Sequence, residues 1–368
     1  MKKLLLSSVA VLGLAAVATP ASAQGLELDL GGHYKGYVAL NDQDEAAGRE
    51  ARDVDWLQET ELHFSGETTL DNGLTVGVHV EAEVDGDDAF AVDESYAYFA
   101  GTWGRVNAGN EDGAAYLLQV AAPSADSNVD GIRQFVNPVN YDVLTGVPAG
   151  TVGATALDYA NDGAVGGAST GDANKLTYLS PIFGGLQAGF SYTPDVTSGF
   201  RDLDGVSEQN DVTGGFADQY ELAARYEGVF NNVGFIAGAG YTVAERDAGT
   251  AGQDDFEEWN VGLDLDLGAF GLGAVYTENN NGLDTTDENE TFVIGADYTT
   301  GAFKLGASYL NNETDAAAGI ETDRYTGGVV YSYGPGMSFR GSISYVEADS
   351  AAGDVDATSV LLGTQINF

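Results

Sequence analysis

The feature that most constrains this chain is an alternation of apolar and polar residues that recurs along most of its length. Apolar residues occupy most even positions from Leu26 to Leu40, whereas the odd positions include Asp29 and Lys35. A second run, from Leu74 to Val84, has the same period of two. Because successive side chains of a strand point to opposite faces, this period predicts β-strands with one apolar and one ionic face. An apolar face can cover a soluble core or contact lipid, so alternation alone leaves both classes open.

The connections between the strand candidates separate these two classes. Short turns such as Asp71–Gly73 alternate strictly with long acidic loops such as 41–54. In an antiparallel barrel this places all turns at one rim and all loops at the other, the layout of an outer-membrane barrel with periplasmic turns and extracellular loops. We therefore predict an all-β fold, a sixteen-stranded antiparallel transmembrane β-barrel. Its strands are predicted at 26–40, 55–70, 74–84, 92–100, 104–110, 174–180, 185–193, 218–230, 233–244, 256–267, 270–278, 290–299, 302–310, 323–333, 337–346 and 358–368.

The two ends of the chain agree with export to an outer membrane. Lys2 and Lys3 precede an apolar run and a small-residue cleavage site at 21–23, which is typical of a secretory signal peptide. We assign 1–23 to the signal peptide and 24–368 to a single barrel domain. No later stretch approaches the roughly 20 apolar residues of a spanning helix, so any membrane-spanning part must be a closed barrel. The terminal Phe368 resembles the assembly signal at the end of outer-membrane proteins.

Tyrosines near the strand ends predict aromatic girdles at the two membrane interfaces. Such girdles flank the apolar band of transmembrane barrels. Any single tyrosine is weak evidence, since a half-buried soluble strand can also end in one. The tyrosines that we assign to the girdles are Tyr96, Tyr98, Tyr192, Tyr276, Tyr309, Tyr331 and Tyr333.

Composition excludes several functional classes. The formal net charge is -43, which argues against a nucleic-acid partner because phosphate binding needs basic surface. The absence of cysteine excludes disulfide staples and thiolate metal sites. The sequence has no P-loop and no cysteine nucleophile, so we predict that the protein is not an enzyme. Solubility or adaptation to salty water explains many of the acidic residues, which fall mainly in loops.

The longest break in the alternation is an insertion at 111–173. The lumen of so large a barrel is too wide for side chains to fill, so a loop folded inward decides what passes. We predict a short helix at 114–120, ending before Pro123, while the path of the Gly- and Ala-rich part at 146–172 is not determined. The charged residues that we assign to the loop side of a pore constriction are Glu111, Asp112, Asp126, Asp130 and Arg133.

The few basic residues of the mature chain lie mostly on the polar faces of the predicted strands. A lipid-facing position would cost up to about 2–4 kcal/mol at the membrane midplane, so these side chains are expected to point into the lumen. There they face the acidic loop, or alternatively pair with inward carboxylates such as Glu59 and Asp264. The basic residues that we assign to the pore wall are Lys35, Arg105, Lys175, Arg225, Lys304, Arg324 and Arg340.

All three histidines, His33, His63 and His79, fall on predicted inward faces of neighbouring strands. Counting across the Asp71–Gly73 turn places His63 opposite Glu81. Histidine with glutamate can bind a metal, but the spacing is not tight, and we interpret the three as polar residues of the lumen and assign no metal site. No cofactor is predicted. Calcium bound by acidic loops is a lesser hypothesis, motivated by Asp85, Asp87, Asp88, Asp254 and Asp255.

Two stretches around the insertion resemble the general porins of Gram-negative bacteria, especially those of alphaproteobacteria. Asp93–Phe99 followed by 104–112 resembles the hairpin before the constriction loop. Lys175–Gly185, with Tyr-x-Ser-Pro-x-Phe-x-Gly, resembles the strand, turn and next strand after it. The resemblance implies a trimeric barrel surrounded by outer-membrane lipid and lipopolysaccharide, a third loop folded into the pore, and a transverse field across the constriction. The insertion is longer than this family leads us to expect.

We therefore expect a passive diffusion channel of the outer membrane for ions and small hydrophilic solutes. The excess of inward and rim carboxylates favours a preference for cations. One alternative is a substrate-selective channel, for example for sugars, in which Tyr116, Phe135 and Tyr141 form an aromatic slide. Another is a secreted acidic β-rich surface protein.

Overall fold

The fold is a single closed sheet. The computed structural model describes residues 27–84, 90–123, 129–130, 133–134, 138–140, 143–144, 173–196, 216–246, 251–284, 288–314, 319–350 and 353–368. Within these ranges sixteen antiparallel strands form a barrel in which each strand pairs with its sequence neighbours and the first strand closes on the last. This confirms the predicted architecture. The residues assigned to the signal peptide lie outside the described ranges.

Each predicted strand has a counterpart in the barrel. The main difference is at the long-loop ends, where several strands run further than predicted because backbone pairing continues after the apolar alternation has stopped. The barrel strands are β1 Glu27–Gln43, β2 Val54–Thr69, β3 Thr75–Glu83, β4 Ala91–Gly101, β5 Gly104–Asn110, β8 Asn174–Leu179, β9 Leu186–Thr193, β10 Phe216–Phe230, β11 Val233–Arg246, β12 Phe256–Asp266, β13 Phe270–Asn279, β14 Asn289–Thr300, β15 Phe303–Thr314, β16 Ile320–Gly334, β17 Met337–Ser350 and β18 Gly353–Asn367. Inside the insertion lie a short helix, α1 Ala114–Leu117, and a small hairpin of β6 Val129–Asp130 and β7 Arg133–Gln134.

The short turns use residues that tolerate left-handed backbone. Asn231 and Asn232, between β10 and β11, have φ angles of 50° and 65°. Positive φ at both central residues gives a turn whose twist matches that of the flanking strands. The Gly32 segment of β1 closes the barrel against the chain terminus, since the Gly32 and Phe368 backbone groups exchange hydrogen bonds of 3.0 and 3.1 Å.

The two faces of the sheet differ in chemistry. Large apolar side chains such as Leu28 and Leu222 are exposed on the outside, whereas Thr177 and Ser191 are buried on the inside. Among the residues that the structure describes, no helix has the length and apolar character needed to cross a membrane.

The girdle assignment is wrong for two tyrosines. Tyr96 and Tyr98 of β4 lie on the lumen face, where the Tyr98 hydroxyl donates to Glu67 at 2.6 Å and the Tyr96 ring lies 5.3 Å from that of His79. A register irregularity in the pairing of β3 with β4 is the reason. Because of this irregularity, Val92 at an even position and Phe99 at an odd position both lie on the exposed outer face. Counting alternate residues from the start of the strand therefore assigns the wrong face to the residues at its end.

Candidate pore and its two walls

The first part of the insertion enters the barrel and lies against the inner wall. Its helix is shorter than predicted, because it ends at Leu117 instead of Val120. The barrel supplies the caps: the Ala114 amide donates to Ser191 Oγ at 2.8 Å and the Ala115 amide donates to Glu221 Oε2 at 2.9 Å. These bonds satisfy amides that a helix start leaves without a partner. After α1 the chain crosses the strands of the wall and cannot continue as a helix.

Six glycines form the surface on which the loop rests, and we call them the glycine track. An added Cβ at Gly262 would lie 2.3 Å from the Val120 carbonyl oxygen, and one at Gly295 would lie 2.0 Å from the Pro123 carbonyl oxygen. Real Cβ atoms do not approach backbone so closely, so only glycine lets the loop backbone contact the sheet directly. The track consists of Gly189, Gly238, Gly240, Gly262, Gly273 and Gly295, on the inner faces of β9 and β11 to β14.

A later part of the insertion packs near the long-loop rim. Leu144 is 1% exposed and belongs to an apolar cluster with Val139 and inward residues of the barrel. The Ala46 amide donates to the Val143 carbonyl at 2.7 Å, which ties this segment to the loop after β1. The loop therefore contacts the wall at two depths. The barrel residues of the cluster are Val275, Val293, Leu310, Val346 and Ala357.

A polar group holds the base of the loop. Glu111, which is 5% exposed, accepts a hydrogen bond of 2.6 Å from Asn107 Nδ2, and Asn107 Oδ1 accepts one of 2.6 Å from Arg105 Nε. Lys175 donates to the carbonyls of Glu111 and Ala173. Glu111 lies outside the strands. Burial raises the pKa of its carboxyl to about 7, although Arg105, Asn107 and Lys175 oppose this rise.

The opposite part of the inner wall, on β1 to β3, carries large ionisable side chains, and we call it the ionisable wall. His33 Nε2 lies 2.6 Å from Glu59 Oε1, and Lys35 Nζ lies 3.1 Å from Glu59 Oε2. The register pairs His63 with Glu81, as the count across the turn predicted. His63 and Glu81 are 30% and 20% exposed although they face inward, so water reaches this wall. The ionisable wall consists of His33, Lys35, Glu59, Glu61, His63, His79 and Glu81.

The other basic residues assigned to the pore wall are spread around the barrel. Lys304 Nζ lies 3.2 Å from Asp297 Oδ2, and Arg340 Nε contacts Ser338 Oγ at 3.4 Å. Arg324 is 2% exposed, and Arg225 is half-buried on the inner face of β10. Arg105 stacks on the ring of Tyr98, with 4.1 Å from its Cζ to the ring centroid.

The structure brings together only part of the loop residues assigned to the constriction. Glu111 joins Arg105 and Lys175 at the loop base. Asp130 and Arg133 are backbone partners in the β6–β7 hairpin. Asp112 follows Glu111 in the loop base and is half-buried. Asp126 lies outside the described ranges.

The remaining candidates are scattered. Phe135 and Tyr141 of the proposed aromatic slide lie outside the described ranges, while Tyr116 is half-buried on α1. Of the calcium candidates, those at 85–88 also lie outside these ranges. The other pair contacts Arg246, whose Nε donates to the Asp254 carbonyl at 2.7 Å and whose backbone amide donates to Asp255 Oδ1 at 2.8 Å. Calcium binding stays a prediction.

Sequence reasoning missed the glycine track. A signal was present, because Gly238, Gly240 and Gly262 occupy polar-face positions of strands that follow the insertion. A glycine inside a strand can mark the close approach of another backbone. The sequence does not say which segment approaches.

Comparison with known proteins gives a consistent result. The Gram-negative porin family model matches residues 8–351. Among solved structures, an anion-selective porin from Comamonas acidovorans has 18% sequence identity and a TM-score of 0.65. A porin refined at 1.8 Å resolution has 16% sequence identity and a TM-score of 0.61. A triple mutant of Rhodopseudomonas blastica porin has 18% sequence identity and a TM-score of 0.57. Each comparison covers 93% of this chain and 100% of the other. These structural likenesses concern the fold alone, and no curated protein matches the sequence.

Proposed function

The chain belongs to the Gram-negative porin family, and from that premise we propose that it is a cation-preferring diffusion channel for ions and small hydrophilic solutes. Porins are diffusion channels of the outer membrane. The proposal concerns which ions and solutes pass through the pore and which part of the inner wall sets the ion preference. Nothing in it involves covalent chemistry: the protein lowers the barrier to passage and leaves the solute unchanged.

The water-exposed carboxylates of the ionisable wall carry this proposal. Glu61 and Glu81 lie on adjacent strands and are 13% and 20% exposed. A row of carboxylates in a pore with low-dielectric walls lowers the electrostatic energy of a passing cation and raises that of an anion. Two basic side chains that would oppose this effect, Lys35 and Lys304, lie within 3.2 Å of carboxylate oxygens, which offset their charge.

The acidic residues of the insertion belong to the same proposal. We assign Asp112, Asp126 and Asp130 to the side of the constriction that faces the ionisable wall, with Glu111 at the loop base and Arg133 beside Asp130. Carboxylates on both sides of a passage act on the same ion, so their effects on cation passage add.

Reversal potentials in a planar bilayer, measured across a salt gradient at neutral pH, test the ion preference. We expect a cation-selective potential for the native protein and a shift towards zero for Glu61→Gln and Glu81→Gln. Glu321→Gln is the matched control, because Glu321 is exposed on the outward side of β16 and should leave the potential unchanged. An anion-selective native channel, which would resemble the anion-selective porin from Comamonas acidovorans in this respect, would refute the preference.

We also propose that the protein is a homotrimer surrounded by outer-membrane lipid and lipopolysaccharide. The supporting observations are the family membership and the exposed apolar residues on the outer face, among them Leu28, Leu222 and Ile343. A trimer band that converts to monomer on heating in detergent is the expected result. A monomer at every temperature would contradict it.

A further inference from the structure

Three side chains of the ionisable wall converge on one point. His79 Nε2 lies 2.6 Å from Glu81 Oε1, and His63 Nδ1 lies 3.0 Å from the same oxygen. Ligand atoms of these three residues all lie within 4.8 Å of one another. Two imidazole nitrogens and a carboxylate oxygen are a donor set that suits Zn²⁺, Cu²⁺ and Ni²⁺. We propose that His63, His79 and Glu81 form a binding site for a divalent transition-metal ion in the wall of the pore.

The partners of His63 are compatible with a metal at this point. A neutral imidazole has one donor nitrogen and one acceptor nitrogen. His63 places both nitrogens against carboxylates, because Nε2 lies 2.6 Å from Glu61 Oε1 while Nδ1 faces Glu81. A neutral His63 therefore sets a nitrogen lone pair against an oxygen lone pair at one of these contacts. An ion between His63 Nδ1 and Glu81 removes the conflict by accepting electron pairs from both. A second proton on His63 is the competing solution.

Both histidines also have the outer partners that metal-bound imidazoles use. His63 Nε2–H can donate to Glu61, and His79 Nδ1 lies 2.8 Å from Ser65 Oγ. Such contacts fix the tautomer and the orientation of a metal-binding ring. Each histidine is then left with one nitrogen directed at the shared point beside Glu81.

The geometry is compatible with an ion after small side-chain rotations. Bonds of about 2.0–2.1 Å in a tetrahedron separate ligand atoms by roughly 3.3 Å. The nitrogen–oxygen contacts are slightly shorter than this, at 2.6 and 3.0 Å. His79 and His63 are 17% and 30% exposed, which leaves room for water as a further ligand.

A second group on the same wall, formed by His33, Glu61 and His63, also brings its ligand atoms within 4.8 Å of one another. It is the weaker candidate. His33 Nε2 is engaged with Glu59, and the Lys35 ammonium lies 3.1 Å from that glutamate. A positive charge so near disfavours a second cation. This contrast supplies the control for the experiment, because His33 and His79 flank His63 on either side.

The test uses the full-length protein without a polyhistidine tag, in detergent, with Zn²⁺ in calorimetry and Cu²⁺ in electron paramagnetic resonance. We expect one saturable ion per chain and nitrogen hyperfine coupling from two imidazoles. His79→Gln should remove saturable binding, and Ser65→Ala should weaken it about 10-fold or more. His33→Gln should bind as the native protein does. Heat-modifiable migration on gels checks that each variant folds.

Three results would overturn the assignment. They are no saturable heat with the native protein, native affinity in His79→Gln, or loss of binding in His33→Gln alone. In the bilayer, Zn²⁺ should lower the cation conductance of the native channel and leave that of His79→Gln unchanged. Binding is measured independently of ion preference, so an anion-selective channel would refute the proposed function and not the metal site.

Discussion

The two walls of this pore differ in the size and charge of their inward-facing side chains. The glycine track has no side chains, so the backbone of the loop at Val120 and Pro123 lies directly on β12 and β14. The ionisable wall has long charged side chains, which remain in contact with water and pair with one another. The loop covers the glycine track, whereas the side chains of the ionisable wall are exposed to water. We therefore expect the passage to lie beside β1 to β3, because the loop removes space from the opposite side.

The largest expected effect comes from giving the glycine track side chains. Gly262→Ala and Gly295→Ala place a Cβ within 2.3 and 2.0 Å of loop carbonyl oxygens, so the loop must move towards the lumen. We expect each to cost about 1–3 kcal/mol and to lower single-channel conductance. Gly327→Ala is the control, because its nearest neighbour would be 4.0 Å away. Native conductance in both track variants would mean that the loop does not rest on this wall.

Removing the cap of the loop helix should have a smaller effect on the channel current. Glu221 accepts hydrogen bonds from the Ala115 amide and from Gln219 Nε2, at 2.9 and 3.0 Å. Glu221→Ala leaves both donors without this acceptor, at a cost of about 1–3 kcal/mol. The loop should then fluctuate, which increases current noise in single-channel recordings. Glu227→Ala, at an exposed site on the same strand, should show the same current noise as the native channel. Equal noise in the two variants would argue against this anchor.

The expected effect on the channel current is smallest at the loop base, where the change is a pH dependence of stability. Burial raises the pKa of Glu111 from 4.5 to about 7, so between these values the folded protein binds more protons than the unfolded chain. Stability from this group is therefore full below about pH 4.5 and falls as pH rises to about 7, by roughly 1 kcal/mol per pH unit. Thermal melting of the native protein and of Glu111→Gln across this range measures it. Glu111→Gln should lose this part of the pH dependence. If the melting temperatures of the two proteins change with pH in the same way, the dependence does not come from Glu111.

The sequence predicted the sheet well because the alternation and the turn chemistry are local. The position of His63 opposite Glu81 followed from counting across one turn, and the register confirms it. The errors arose where contacts between distant segments determine which way a side chain points or where a helix ends. Tyr96 and Tyr98 turned inward because of an irregularity in pairing, and the helix stopped at Leu117 because the barrel wall directs the loop.

The site was less predictable than the fold for the same reason. Opposition of Glu111 to basic residues was expected from charge, but its burial against Asn107 depends on where the loop enters the barrel. The glycine track required knowing that Val120 and Pro123 reach β12 and β14. Residues far apart in sequence make these contacts, and alternation carries no information about them.

The central claim is that the passage follows the ionisable wall while the loop covers the opposite one. Because the chain has no cysteine, two conservative substitutions test it directly. Ser65→Cys lies beside His79 on the open wall, and Ser191→Cys lies beneath α1, where Ser191 is 0% exposed. Single-channel current is recorded while a charged, membrane-impermeant thiol reagent is added. We predict a rapid drop in current for Ser65→Cys and no change for Ser191→Cys; equal reaction at both sites, or reaction at Ser191→Cys alone, would contradict the account.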